Sequence, residues 1–375
     1  MSEKFTPPIL VGRPPDRKHQ IMRQLRREIV SGALAPGAPF PTREAIISRF
    51  GASPGTVNSA VDGLRGEGFI EPRGRQGTFV TLNPPHLTRY AVLFAVNQDT
   101  RHWTGYYTAL SNVITEANRS AAEPGPTIST YSNLHRTWFS RDFRALTEDV
   151  VEQRIAGLIF ATSPYDLKDT PLVEDDGLPR VAVAAIASDW WFPTVSLDGA
   201  SFRKSAVGYL AGLGRKRVAV IGPHRSGDWE SAIAAQGLET RPYWLHPVNV
   251  MAAEAAHGIA HLLTRLPAGD RPDALVVTDD NLLDHVLAGL LAAGVRLPDE
   301  LAIVAHCNFD GTTTSVLPLA RLGYDARRVL SACIGLIDAQ RRGETPDAIT
   351  RVPAQFAWEI HPPLENLDAR PVLPA

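Results

Sequence analysis

Residues 41–80 read PTREAIISRF GASPGTVNSA VDGLRGEGFI EPRGRQGTFV, and this stretch decides the architecture of the amino-terminal part. Ser53 stands before Pro54, and a proline at the first helical position loses no hydrogen bond, so a helix is expected to open there. Val57, Ala60, Val61 and Leu64 then recur on one face, and Gly66 to Gly68 stop the run. Just upstream, Thr42 is placed to cap a short helix to Phe50 with Ile46, Ile47 and Phe50 turned inward, and Gly51 breaks it. Downstream, Phe69-Ile70 and Thr78-Phe79-Val80 read as two short strands around the basic loop Arg73-Gly74-Arg75-Gln76-Gly77. Working outward, Asp16 caps a first helix to about Ser31, with Ile21, Leu25 and Ile29 spaced four apart, and Gly32 with Pro36-Gly37 ends it. Three helices and a basic hairpin in this order make a winged helix-turn-helix. A helix tip of that kind fits the major groove of DNA while the hairpin's arginines reach phosphates or the minor groove beside it.

The charge distribution agrees. The formal net charge of -2 hides twelve Lys and Arg against seven Asp and Glu in residues 1–85, which leaves 26 against 33 in the rest. A small basic head on a larger acidic body is an electrostatic footprint of nucleic-acid binding.

The runs Phe40-Pro41-Thr42-Arg43-Glu44, Phe50-Gly51-Ala52-Ser53 and Thr56-Val57, with Leu64, Glu67-Gly68-Phe69-Ile70 and Gly77-Thr78-Phe79-Val80, resemble the DNA-binding head of the GntR family. The resemblance covers about residues 17–81 with the family's spacing kept. It implies that the helix Ser53–Glu67 enters the major groove, with Thr42, Arg43, Ser53, Thr56, Asn58, Ser59 and Arg65 toward the DNA. It also implies that Arg73, Arg75, Gln76, Gly77 and Thr78 form the wing contact. The chain departs from the family where DNA is usually read. Thr42-Arg43-Glu44 replaces Ser-Glu-Arg, and the usual recognition-helix arginines fall on Pro54 and Asn58. Asn58 is suited to reading adenine, and Arg43 to restoring a phosphate contact.

After a short proline-bearing linker at residues 84–88 the pattern changes to alternating strands and helices, from Tyr90–Val96 through Leu301–His306. Such alternation predicts doubly wound parallel sheets, and nearly 290 residues favour two of them. The runs Val195-Ser196-Leu197-Asp198, Val218-Ala219-Val220-Ile221-Gly222, Pro272 to Asp280, Gly294 to Val304 and Leu322-Gly323 resemble the periplasmic-binding-protein-like effector domain of LacI/GalR-type regulators. The resemblance spans about residues 89–358. It implies an α/β chain with a winged helix-turn-helix at 1–83 and a two-lobed effector and dimerisation domain at 89–375.

In such effector domains, loops at strand ends line a ligand cleft. Sugar-binding members place an Asn-Asp pair after one strand and Gly-aromatic-Asp-Asp after the next. The corresponding stretches here hold Asp279-Asp280 and Ala305-His306-Cys307-Asn308, with Arg225 and Glu230 nearest the position of a ligand arginine. Trp103, Tyr106, Trp190, Trp191 and Trp229 are the flat rings near strand ends that suit stacking on a sugar face or a cation. Each has a plain structural alternative: the aromatics fill a core or a dimer contact, and Asp280 caps the next helix.

Other chemistries find little support. His257 and His261 lie four apart on a predicted helix but lack a third ligand, so no metal is expected. No nucleophile elbow, phosphate loop or dinucleotide fingerprint occurs, so neither catalysis nor a cofactor is expected. Hydrophobic content of 44% excludes disorder of the whole chain, and no apolar run approaches the ~18 residues of a membrane span. Cys307 and Cys333 are too few for a disulfide framework, which fits a cytoplasmic protein. The sequence thus predicts a homodimeric, cytoplasmic regulator, a repressor by family analogy, that binds operator DNA under control of a small ligand, a sugar or another polar metabolite. Two alternatives stay open: a DNA-binding regulator whose body binds no small molecule and serves as a dimerisation or protein-contact platform, and a DNA-targeted enzyme.

Overall fold

Helix α1 (Arg17–Val30) starts where Asp16 accepts a hydrogen bond from the His19 amide, and it buries Ile21, Leu25 and Ile29. Thr42 caps α2 (Arg43–Phe50), which ends on Gly51 in the left-handed region at φ +56°. Ser53 caps α3 (Pro54–Gly66), whose Val57, Ala60, Val61 and Leu64 are buried as the sequence predicts. The hairpin pairs β1 (Ile70–Pro72) antiparallel with β2 (Thr78–Val80), Ile70 opposite Val80. It begins one residue later than expected, because fully buried Phe69 fills the turn between α3 and β1. This computed structural model describes residues 16–361 apart from 122–124, 135–139, 169, 175–176, 185–189, 224–227 and 311–316. The proline-rich first fifteen residues and Arg225 lie outside the described residues.

The stretch expected as a linker holds a helical turn, α4 (Pro85–Thr88), which leads directly into β3 (Arg89–Leu93). Then follow α5 (Gly105–Ser120), β4 (Thr127–Tyr131), α6 (Arg141–Val151), β5 (Gly157–Phe160), α7 (Pro171–Glu174), β6 (Arg180–Ala184) and β7 (Thr194–Asp198). The chain continues through α8 (Gly199–Gly212), β8 (Val218–Gly222), α9 (Asp228–Ala235), β9 (Leu245–Pro247), α10 (Ala255–Arg265), β10 (Ala274–Val277) and α11 (Leu283–Ala293). It closes with β11 (Ala302–Phe309), β12 (Ala320–Asp325), α12 (Ala326–Arg341), β13 (Ile349–Pro353), β14 (Gln355–Phe356) and α13 (Ala357–Ile360).

Two compact units result. The first takes residues up to 97 with 114–182 and 334–346, so it includes the winged head; the second takes 98–113, 183–333 and the chain from 347. In the first unit β3 lies between β4 and β5, and β5 pairs with β6, all in parallel. In the second, a six-stranded sheet runs β14–β12–β11–β10–β8–β9, parallel except for β14, and β7 pairs in parallel with β13. Strands covered on both faces read as continuous apolar runs, and β8 and β10 are buried throughout.

Helices α10 and α11 cover one face of that sheet, their Ala260 and Val286 sharing a buried core with Trp244, Leu275 and Ile303. They approach so closely that a Cβ on Gly289 would lie 2.2 Å from the His257 carbonyl oxygen. Gly289→Val is therefore expected to destabilise the protein by ~1–3 kcal/mol through overpacking. Gly258→Ala, at a helical position facing open space, should leave stability unchanged or slightly higher. Paired melting curves of the two variants check this.

Candidate nucleic-acid interface and ligand site

The caps that start α2 and α3 also shape the head's outer surface. Thr42 accepts from the Ala45 amide and Ser53 from the Thr56 amide, each at 3.2 Å, so both helix tips are fixed. Ser53 and Thr56 also share a hydroxyl–hydroxyl bond of 2.9 Å. With its apolar stripe buried, α3 exposes Pro54, Gly55, Asn58, Ser59, Asp62 and Arg65. The Nε of Arg43 donates to Asn58 Oδ1 at 2.8 Å, a bond that joins the two helices across the turn and aims both side chains outward. One turn below Asn58, Asp62 pairs with Arg65 at 3.3 Å, which partly neutralises that arginine.

The wing divides its arginines. Arg73 donates to Glu71 at 2.9 Å and lies over the Phe79 ring at 4.7 Å, so it braces the hairpin. Arg75 and Gln76 occupy a 3-10 turn at the tip and are exposed. Gly74 and Gly77 flank them at φ +57° and +105°, conformations that L side chains rarely adopt. Thr78, half-buried, begins β2.

In the second unit, the ends of β10 and β11 and the start of α5 converge. Asp280 accepts from the Asn308 side-chain amide at 2.9 Å and from its backbone N–H at 3.3 Å. Asn281 accepts from the Gly105 backbone N–H at 3.0 Å and donates to Asp279 at 2.7 Å. A Cβ on Gly105 would lie 2.7 Å from Asp280 Oδ2, so only glycine lets this carboxylate reach the amino end of α5, where a negative charge is favoured. One carboxylate held among two carboxamides offers donors and acceptors at close range, a combination that suits hydroxyl groups.

The remaining sequence-predicted ligand residues are placed differently. Asp279 turns its carboxylate onto the Asn281 amide and caps the local turn, the structural alternative foreseen for its neighbour. Trp229 is buried with its ring edge-on to Phe202 at 6.3 Å, so it fills core space and offers no free face; Glu230 beside it is exposed. Cys307 lies inside β11, which runs three residues beyond the expected end at His306, and it is buried. Alternation along the strand puts it on the face opposite His306 and Asn308. Trp103 is half-buried, donating to Thr108 at 3.0 Å with its ring against Tyr107. Trp190 stacks on Phe192 at 5.6 Å. Tyr106 carries a buried hydroxyl with no partner among the described residues, and burial, then Cys333 and Tyr107, push its pKa well up.

Three polar residues were not singled out from sequence. Asn281 and Asn308 are the amide partners of Asp280; the signal for the first was an Asp-Asp-Asn order where the related pattern is Asn-Asp. His306 lies between Phe202 and Tyr324, ring centroids 5.6 and 5.7 Å away, with a buried Nδ1 that has no partner among the described residues.

His86 in α4 stacks on Phe69 at 5.9 Å, and burial together with Arg341 pushes its pKa down to about 4 from the ordinary 6.5. The folded imidazole stays neutral while the unfolded chain binds a proton, so stability is flat above pH 6.5 and falls as pH drops toward 4. His86→Phe keeps a ring on Phe69 and should flatten that part of the profile, read as melting temperature against pH. Among the described residues no cluster of His, Cys, Asp or Glu could hold a metal ion, and no helix is long and apolar enough to cross a membrane.

The outward faces of α3 and the wing suit DNA binding, and the matches to known proteins point to a transcriptional regulator, not an enzyme. Residues 17–80 match the gntR family of bacterial regulatory proteins, and residues 207–357 match the periplasmic binding protein-like domain. The chain thus joins a gntR-type head to a periplasmic-binding-protein-like body. It is 21% identical over 353 residues to the arabinose metabolism transcriptional repressor of Halalkalibacterium halodurans, covering 87% of this chain and 91% of that protein. The like-named repressor of Geobacillus stearothermophilus is 22% identical over 324 residues, 81% of this chain and 85% of that one. The fold resembles a LacI-family regulatory protein from Chloroflexus aggregans, with a TM-score of 0.55 at 19% identity over 71% of this chain and 96% of the other.

Proposed function

We propose that the protein is a cytoplasmic repressor that binds a two-fold symmetric operator as a homodimer and changes its operator affinity when its body takes up a small polyhydroxyl ligand. The observation that carries the ligand reading is Asp280 held between Asn281 and Asn308 at two adjacent strand ends. His306, on the same face of β11 as Asn308, adds a ring nitrogen free to bond. Paired heads match the symmetry of such operators, and a ligand that prefers one form of the body shifts the population that binds DNA. The repressor sign follows the two relatives, whose names also place them in arabinose metabolism, so pentoses head the ligand panel. Thermal shift of the full chain with a panel of pentoses, hexoses and polyols tests this. One member should raise the melting temperature in a concentration-dependent way. No response to any of them would favour a body that serves as a dimerisation or protein-contact platform.

A further inference from the structure

Arg26, in the middle of α1, is 2% exposed and is ion-paired to both Glu67 and Glu152. Glu67 caps the carboxyl end of α3, the helix whose outer face reads DNA, whereas Glu152 caps the end of α6 in the body. Arg23 joins Glu152 at 2.7 Å. From the body side, Arg154 reaches Glu67 at 3.2 Å, Glu148 at 2.9 Å and Asp149 at 2.7 Å. Asp149 is held in turn by Arg89 of β3, at 2.9 Å, and by the Tyr131 hydroxyl of β4. The cluster thus runs from the base of the recognition helix to the strands of the first sheet.

A second contact reinforces it. The Arg26 guanidinium lies 5.4 Å from the Phe69 ring centre, and His86 of α4 stacks on the same ring. Arg341, in the last turn of α12, donates to the Leu87 carbonyl at 2.7 Å, and Asp338 beside it accepts from the Tyr90 hydroxyl at 2.8 Å. The connecting turn is therefore gripped from both sides. None of these contacts covers the outward residues of α3, which stay exposed.

Desolvated charges persist only where their partners are fixed, so a cluster with a buried arginine between two carboxylates holds its members in one geometry. We propose that the winged head is docked in cis on its own body through this cluster, and that Glu152 and Arg154 are positioning residues for operator binding. They act through Arg26 and Glu67 and set the direction from which α3 addresses DNA. The docking rests on the regulator reading above only for its consequence on DNA.

The test compares the full-length wild type with Glu152→Gln, which removes the charge facing Arg23 and Arg26 and one of the two oxygens that accept from them, but leaves Arg154 and its partners in the body intact. Arg154→Lys serves as a second variant that keeps the charge and loses the fork. Hydrogen exchange across residues 84–89 should be at least tenfold faster in both variants, with exchange in β5 and β8 unchanged. Affinity for the duplex upstream of the coding sequence should fall several-fold with the same salt slope, because phosphate contacts are untouched. Equal exchange at 84–89 in wild type and variants overturns the docking. So does a parallel acceleration in β5, which would make the cluster a general prop of the first sheet. Absence of duplex binding by the wild type overturns instead the regulator reading, and with it the positioning role.

Discussion

Replacing Asn58 with alanine should lower affinity for the cognate operator by about 10- to 100-fold, or ~1–3 kcal/mol, while non-specific affinity changes little. Asn58 is exposed on α3, and its side chain is already oriented by the bond from Arg43 at 2.8 Å. A carboxamide fixed in this way loses little freedom on meeting a base edge, and its removal also frees Arg43 from its present aim. Arg75→Ala at the wing tip is the contrasting variant. It should weaken binding to all sequences alike and lower the salt slope by about one, as loss of one phosphate contact does. Fluorescence anisotropy with cognate and scrambled duplexes across a salt series separates the two effects.

The second large effect belongs to the body. Asp280→Ala should abolish ligand-induced stabilisation while leaving operator binding without ligand near the wild-type level. The carboxylate accepts both the side chain and backbone of Asn308, so its loss removes the bonds that hold that amide in place and one acceptor for a ligand hydroxyl. Removing an acceptor that bonds a polar ligand leaves the ligand's hydroxyl unsatisfied, a cost of ~1–3 kcal/mol for each bond. Calorimetric titration with the best ligand of the sugar and polyol panel checks it. Gly105→Ala provides an independent route to the same loss, since the added methyl would displace the carboxylate without changing its chemistry.

How far these sites could be read in advance depends on how local their signals are. The head was legible because Thr42, Ser53 and Pro54 announce helix starts within three residues of where they act, and the buried stripe of α3 follows at helical spacing. The strand–helix alternation of the body was legible for the same reason. Strand β12 escaped it because ARLGYD carries too few consecutive apolar residues, although its neighbours bury it. The proposed ligand site is only half legible. Asp280 stands in a recognisable place, but Asn308 lies 28 residues away and Gly105 much farther still, and only the fold brings them together. Trp229 and Cys307 fall where the sequence predicts strand ends and loops, but a helix and a longer strand take them into the core. The charge cluster left no sequence mark at all. Arg26 follows Leu25 in an ordinary amphipathic helix, and its partner Glu152 is 126 residues on.

One chain is expected both to read DNA through α3 and the wing and to change that reading when its body binds a ligand. The most direct measurement is anisotropy of the upstream duplex against a scrambled control across a salt series, repeated with the sugar or polyol that stabilises the protein. Selective binding with a steep negative salt slope, shifted at least fivefold by that ligand and unshifted in Asp280→Ala, is the predicted result. Equal binding to both duplexes, or no binding even at low salt, would contradict it.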